Sequence, residues 1–175
     1  ALGVYFDNDQ ALVAELLTAL NFTGDEQVTL KINGEQQTLT VKDALTTELE
    51  ITQTAPAFIE FWANQSGDEA LLAIAADKNS AREFSAKHQI IDVINLASAT
   101  VEPQTLADSL RKITPRLYSI ASAQAEVEEE VHLTVGLVNY ENDGKQRFGG
   151  ASHFLANRIE EGQPIRVFVE HNDNL

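Results

Sequence analysis

Hydrophobic residues near the N-terminus run first as a short apolar stretch, then at helical spacing, then at period two. Val4 to Phe6 reads as a brief strand. Asn8-Asp9 caps a helix whose apolar face is Leu12, Leu16, Leu17 and Leu20. Val28 to Ile32 and Gln37 to Val41 alternate apolar and polar, and Asn33-Gly34 begins the short turn between them, so a β-hairpin is predicted. From Asp43 to Leu110 the period is helical. Ala57 to Trp62, Glu69 to Ala75 and Ala81 to Lys87 are helix candidates, the last capped by Asn79-Ser80. Pro103 precedes a final helix carrying Leu106 and Leu110.

After Pro115 the character changes to β. Leu117 to Ala121, Val131 to Tyr140 and Ile165 to Glu170 read as strands, and Asn142-Asp143-Gly144 is a turn in a hairpin-like connection. Phe154, Leu155, Arg158 and Ile159 return to helical spacing, which puts Gly149-Gly150-Ala151-Ser152 at a helix start. The pattern is a β-rich part split by a mostly helical insertion, without internal repeats.

Two short motifs carry candidate chemistry. In an extended segment Arg116 and Tyr118 share one face, with Leu117 between them and Ser119 opposite or at the bend. An arginine fork grips phosphate, a tyrosine ring stacks on flat heterocycles, and a hydroxyl bonds a ring nitrogen. The bland alternative is a half-exposed strand with a snorkelling arginine. Downstream, Gly149 and Gly150 let a ligand approach the backbone, and free N–H groups at a helix start bind phosphate. Ala151 completes that turn, while Ser152 either caps the helix or touches the ligand. Taken alone, the glycine pair also fits a plain loop and cap. Gly136, in Thr134-Val135-Gly136, marks either a strand bulge or a place of close approach.

The stretches Thr114 to Ser122, Glu126 to Glu130, His132 to Val138, Gly149 to Ser152 and Val167 to Asn172 resemble the FAD-binding domain of the ferredoxin-NADP reductase superfamily. They are most similar to its diflavin reductase branch and, within it, to the sulfite reductase flavoprotein family. The resemblance is strong after Arg111 and loose between Asn21 and Gln104. It implies a fold of β plus α, an antiparallel FAD-binding β-barrel interrupted by an all-helical connecting domain. The barrel would take residues 1–6 and 113–175, and the connecting region, hairpin plus helices, residues 7–112.

The same resemblance implies an FAD site. Arg116 would neutralise the pyrophosphate, Tyr118 would lie against the isoalloxazine, and Ser119 would bond near the flavin N5. Such charge-assisted contacts are worth roughly 1.5–3 kcal/mol each. Thr134, Val135 and Gly136 would border the pyrimidine side of the ring, and Tyr140 would lie near the FAD. Gly149, Gly150, Ala151 and Ser152 would cradle the pyrophosphate. Thr52, after Glu50-Ile51, matches a ligand-contacting threonine, although a helix or loop cap fits it equally. FMN and NADPH would be bound only by the full-length protein, whose FMN-binding domain precedes this region and whose nucleotide-binding domain follows it. The implied activity is NADPH-dependent flavoprotein oxidoreduction, from NADPH through FAD to FMN and on to a haem-containing sulfite-reducing subunit. With no G-x-G-x-x-G or P-loop in the sequence, this stretch by itself is expected to be inactive or very slow with NADPH. A cytochrome P450 reductase-like enzyme would share most of the motifs. A flavin-free acidic interaction module on the same scaffold is the reading from another class.

Composition narrows the classes. The 175 residues carry a net charge of −15, with 27 acidic against 12 basic side chains, so the basic footprint that nucleic-acid binding needs is missing. Glu126 and Glu128 to Glu130 form the densest acidic run, either a solvated loop or strand end or a docking surface for a basic partner. No run of apolar residues is long enough for a membrane span, and no signal peptide is visible. Zero cysteines exclude disulfides and thiol catalysis and fit a cytoplasmic location. The lack of any methionine suggests a fragment. His88, His132, His153 and His171 lack metal-ligand spacing, so no metal site is expected, and Ser119 has neither a G-x-S-x-G elbow nor an assignable histidine base, so no catalytic side chain is expected.

Overall fold

A computed structural model describes residues 1–171; Asn172, at the end of the closing stretch, and the residues after it lie outside the described residues. The chain begins with β1 (Leu2–Val4) and α1 (Gln10–Leu20), followed by the hairpin strands β2 (Gln27–Ile32) and β3 (Glu35–Thr40). Six helices come next: α2 (Val41–Thr47), α3 (Pro56–Ser66), α4 (Glu69–Ala76), α5 (Lys78–Lys87), α6 (Ile90–Leu96) and α7 (Pro103–Ser109). Then come β4 (Arg116–Tyr118), α8 (Gln124–Val127), β5 (Asn139–Asn142), β6 (Lys145–Phe148), α9 (Gly150–His153), a π-helical turn (Phe154–Arg158) and β7 (Val167–Val169).

The first hairpin follows its sequence. Ile32 pairs with Glu35, so Asn33-Gly34 is a two-residue turn, and both residues have positive φ as a type I′ turn requires. Thr40 ends β3 by accepting the Asp43 N–H, which turns Val41 from a strand residue into the first residue of α2. Asp9 caps α1 alone. Asn8 is buried instead, and its Nδ2 donates to the carbonyls of Leu45 and Leu49, tying the N-terminal segment to α2. Asp77, rather than Asn79-Ser80, caps α5, because its carboxylate accepts both the Ser80 N–H and hydroxyl. These two bonds also hold the Asp77 carboxyl below its ordinary pKa.

The main core lies in the helical region, where Leu16, Leu45, Ile59, Trp62, Ile91 and Leu106 are fully buried. The Trp62 indole N–H donates to the Ala97 carbonyl at 2.8 Å, so its polar end is satisfied. Leu2, Val4, Phe6 and Ala151 are buried outside that cluster, on the β-rich side.

The β structure is smaller than the sequence pattern predicts. The described strands form three small antiparallel sheets, β4-β1-β7, β2-β3 and β5-β6, and none closes into a barrel. β1 runs Leu2–Val4 rather than Val4 to Phe6, and pairs with β4 through Val4↔Arg116 and with β7 through Val4↔Val167. The long strand expected from Val131 to Tyr140 is mostly irregular. Only a bridge between Leu133 and Ile120 and the start of β5 remain. Hydrogen bonds outside any ladder hold part of this segment: the Val138 N–H goes to Ser152 Oγ, and the Val138 carbonyl accepts from Gly149 N–H. The acidic run is partly the short helix α8 rather than a plain loop. Among the described residues no helix is long and apolar enough to cross a membrane.

Candidate functional site

The sheet β4-β1-β7 sets one wall of the site. Because β4 is extended, Arg116 and Tyr118 stand on the same face and are half-buried, while Leu117 between them is exposed. The hairpin β5-β6 sets the facing wall and is fixed by a buried arginine. Arg147 donates through Nε to Asp92 Oδ1 at 2.9 Å and lies 3.4 Å from Glu15, which pins β6 to α6 and α1. Burial works against the Arg147 charge, but the Asp92 and Glu15 carboxylates outweigh it and raise its pKa above the usual arginine range. Gln89 adds a bond from Nε2 to the Phe148 carbonyl, directly before the glycine pair.

Between the walls is an open cleft of about 400 Å³. Of the residues singled out in the sequence, Thr52, Arg116, Leu117, Tyr118, Gly136, Tyr140, Gly149, Gly150, Ala151 and Ser152 line it. Ser119, Thr134 and Val135 do not, although each is a chain neighbour of a segment that does. Gln53, Ala86, Gln89, Val138 and Phe148 line it without having been anticipated. Gln53, Ala86 and Gln89 come from the helical region between β3 and β4, which therefore supplies part of the cleft. The cleft continues past Tyr140 into a polar recess of about 250 Å³ that contains Thr54, Ser85, His88 and Arg111. There Thr54 Oγ1 is buried and has no protein partner among the described residues.

Three positions show how the cleft is shaped. A Cβ on Gly150 would come 2.5 Å from the Phe6 ring, and one on Gly149 would come 2.9 Å from both Ser152 Oγ and Val138 Cβ, so packing requires both glycines. A Cβ on Gly136 would meet no protein atom within 4 Å, and its φ is not positive, so nothing within the fold requires glycine there. α9 starts at Gly150 with Gly149 as a cap that has no side chain, which leaves its first-turn amides without a side-chain acceptor. The helix expected beyond Ser152 becomes a π-helical turn after one α-turn, closed by Ile159 N–H to the Phe154 carbonyl. Arg158 returns from that turn to donate to the Gly150 carbonyl at 3.2 Å.

Arg116 is held from three sides. Nη1 donates to the Thr114 carbonyl and hydroxyl, Nη2 donates to Glu50 at 2.7 Å, and the guanidinium lies 5.2 Å above the Phe6 ring. Burial pushes the Tyr118 hydroxyl above its ordinary pKa, with Arg116 opposing, and burial also raises that of Tyr140. Both phenols are therefore neutral at physiological pH and present ring faces and a hydroxyl rather than charge.

The sequence profile of the FAD binding domain family matches residues 1–154. The chain belongs to the FAD-binding domain family. The domain is 48% identical over 174 residues to the sulfite reductase [NADPH] flavoprotein alpha-component of Photorhabdus laumondii, and equally to that of Vibrio cholerae. It is 47% identical to the Salmonella typhimurium protein of the same name. Each match covers 99% of this chain and 28% of the relative, so the domain spans little more than a quarter of the length of the curated relatives it matches.

Proposed function

We propose that the cleft binds FAD and that the chain is the FAD-binding part of an NADPH-sulfite reductase flavoprotein. The observation that carries this reading is the meeting of Arg116, Tyr118, Gly136 and the Gly149–Ser152 turn, distant in sequence, around one cleft. Arg116 and the uncapped start of α9 would hold the pyrophosphate. Tyr118 would lie along the isoalloxazine, with Ser119 beside it, and Gly136 would admit the ring edge next to Thr134-Val135. Tyr140 and the recess with the unpartnered Thr54 hydroxyl suit the adenosine end. FAD, when bound, supplies exchange between two-electron and one-electron transfer.

In the whole protein this domain would serve a cytoplasmic path from NADPH through FAD to an FMN domain of the same chain and on to a haem-containing sulfite reductase beta subunit. The names of the relatives support sulfite reductase over another diflavin acceptor. In this reading residues 1–6 and 113–175 would form the flavin-binding β part, with β4-β1-β7 as one wall of it, and residues 7–112 would connect. The pairing of β1 with β4 and β7 across the insertion supports that division. FAD titration of the purified chain, followed by desalting, tests the proposal: retained flavin absorbance supports it, and colourless protein refutes it.

A further inference from the structure

We infer that Glu50 is a positioning residue for the phosphate-gripping face of Arg116, an inference that rests on the FAD reading above. The two residues lie far apart in sequence, and Glu50 is only 3% exposed. Three named donors hold its carboxylate, two on one oxygen and one on the other. Oε1 accepts the Thr52 N–H at 3.0 Å and the Thr52 hydroxyl at 2.7 Å, and Oε2 accepts Arg116 Nη2 at 2.7 Å. The Glu50 N–H in turn donates to the Arg111 carbonyl at 2.8 Å, so the carboxylate sits on a backbone that is itself held.

A buried ion pair of this kind adds little stability over an apolar pair of the same volume, so its value lies in fixing a geometry. A guanidinium has five N–H bonds. In Arg116 two go to Thr114 and one to Glu50, which leaves Nε–H and the second Nη2–H without a partner among the described residues, on a side chain that lines the cleft. Glu50 and the Phe6 ring together fix the plane of that fork. The charges of Glu50 and Arg116 cancel, so attraction for a pyrophosphate comes from directed N–H bonds rather than from net charge. Thr52 is also committed. Its hydroxyl hydrogen is used on Glu50, so toward a ligand it only accepts, which suits a sugar or ribityl hydroxyl and not a phosphate oxygen.

The test compares FAD and riboflavin binding to the full chain by fluorescence titration, for the parent, Glu50→Gln and Glu50→Asp. Riboflavin carries the ring without the pyrophosphate. A glutamine cannot accept from both Thr52 and Arg116 without turning its amide N–H groups on one of them, so the fork is released. Glu50→Gln is expected to lose about ten-fold or more in FAD affinity, the worth of one charged hydrogen bond, with riboflavin affinity kept within about two-fold. Glu50→Asp keeps the charge at a shorter reach and should recover part of the loss; if the glutamine variant does not fold, a selective FAD loss in Glu50→Asp is the supporting result. FAD affinity unchanged or tightened in Glu50→Gln overturns the inference, since Glu50 would then be idle or a competitor of the phosphate. Equal loss of both flavins also overturns it, because that is the signature of a merely structural role. A parent that takes up riboflavin and FAD alike, with no gain from the pyrophosphate, removes the inference and the role of Arg116 while leaving a flavin site. A parent that binds neither removes the FAD reading and the inference together.

Discussion

Replacing Gly136 by alanine should strengthen the fold and weaken flavin binding, whereas replacing Gly150 should weaken the fold. The new methyl at Gly136 meets no protein atom within 4 Å, and its backbone is outside the left-handed region. At such a site alanine reduces unfolded-chain entropy and adds about 0.4–1 kcal/mol of stability. For a chain of this size that is a rise of roughly 1–4 °C in Tm. Gly136 lines the cleft, so the added methyl narrows the room for a ligand lying close to the backbone there. If the misfit costs about 1–3 kcal/mol, FAD affinity falls by roughly 5- to 150-fold. At Gly150 the methyl carbon would lie 2.5 Å from the ring of Phe6, which is itself buried. That is about 1 Å inside carbon–carbon contact distance, so overpacking of about 1–3 kcal/mol is expected, or a Tm lower by roughly 2–12 °C. Differential scanning calorimetry and FAD fluorescence titration on the two variants read both quantities. A Gly136→Ala protein that binds FAD as tightly as the parent would refute close approach of the ligand at that wall. A Gly150→Ala protein with an unchanged Tm would refute the packing argument for the glycine pair.

Other expectations follow from named contacts. Arg116→Ala should weaken FAD by roughly 10- to 150-fold, the worth of a charged hydrogen bond, and, because it strands the buried Glu50 carboxylate, lower the urea midpoint as well, with the far-UV circular dichroism of the folded protein unchanged. Arg147→Met strands the buried Asp92 carboxylate and should cost about 3–5 kcal/mol, read as a lower urea midpoint at unchanged m-value. Burial, with Arg158 adding to it and Asp9 opposing, lowers the pKa of His153 from the ordinary value of 6.5. The unfolded chain therefore binds the proton more readily, and stability should rise with pH across the window just below 6.5 and level off above it. His153→Gln should flatten that slope, and an identical slope in the variant would assign it to other groups.

Much of the helical region was legible because its signals are local. Asn33-Gly34 fixed a two-residue turn, Asp9 capped α1, and the apolar spacing of Leu16, Leu17 and Leu20 marked the buried face. The β-rich part was less legible because its hydrogen bonds are non-local. Val131 to Val138 carries strand-like residues, yet Ser152 and Gly149 take the Val138 backbone groups that a ladder would have used. Helical spacing after Ser152 could not distinguish an α-helix from the π-helical turn that brings Arg158 under Gly150. The two motifs that meet at the cleft stood out in the sequence because together they offer a cation, an aromatic face and free N–H groups, although each alone also fits a plain strand or a loop and cap. Gln53, Ala86 and Gln89 did not, since ordinary helix and loop residues reveal a cleft only once the chain is folded. Glu50 was visible only as a neighbour of Thr52; its bond to Arg116 joins segments that no local pattern connects.

FAD binding is tested most directly by the visible absorption spectrum of the purified chain, taken before and after incubation with excess FAD and passage through a desalting column. Flavin bands should stay with the protein in the parent and be lost in Arg116→Ala. Parent protein that emerges colourless after saturating FAD would contradict FAD binding and leave the acidic, flavin-free interaction module as the better description.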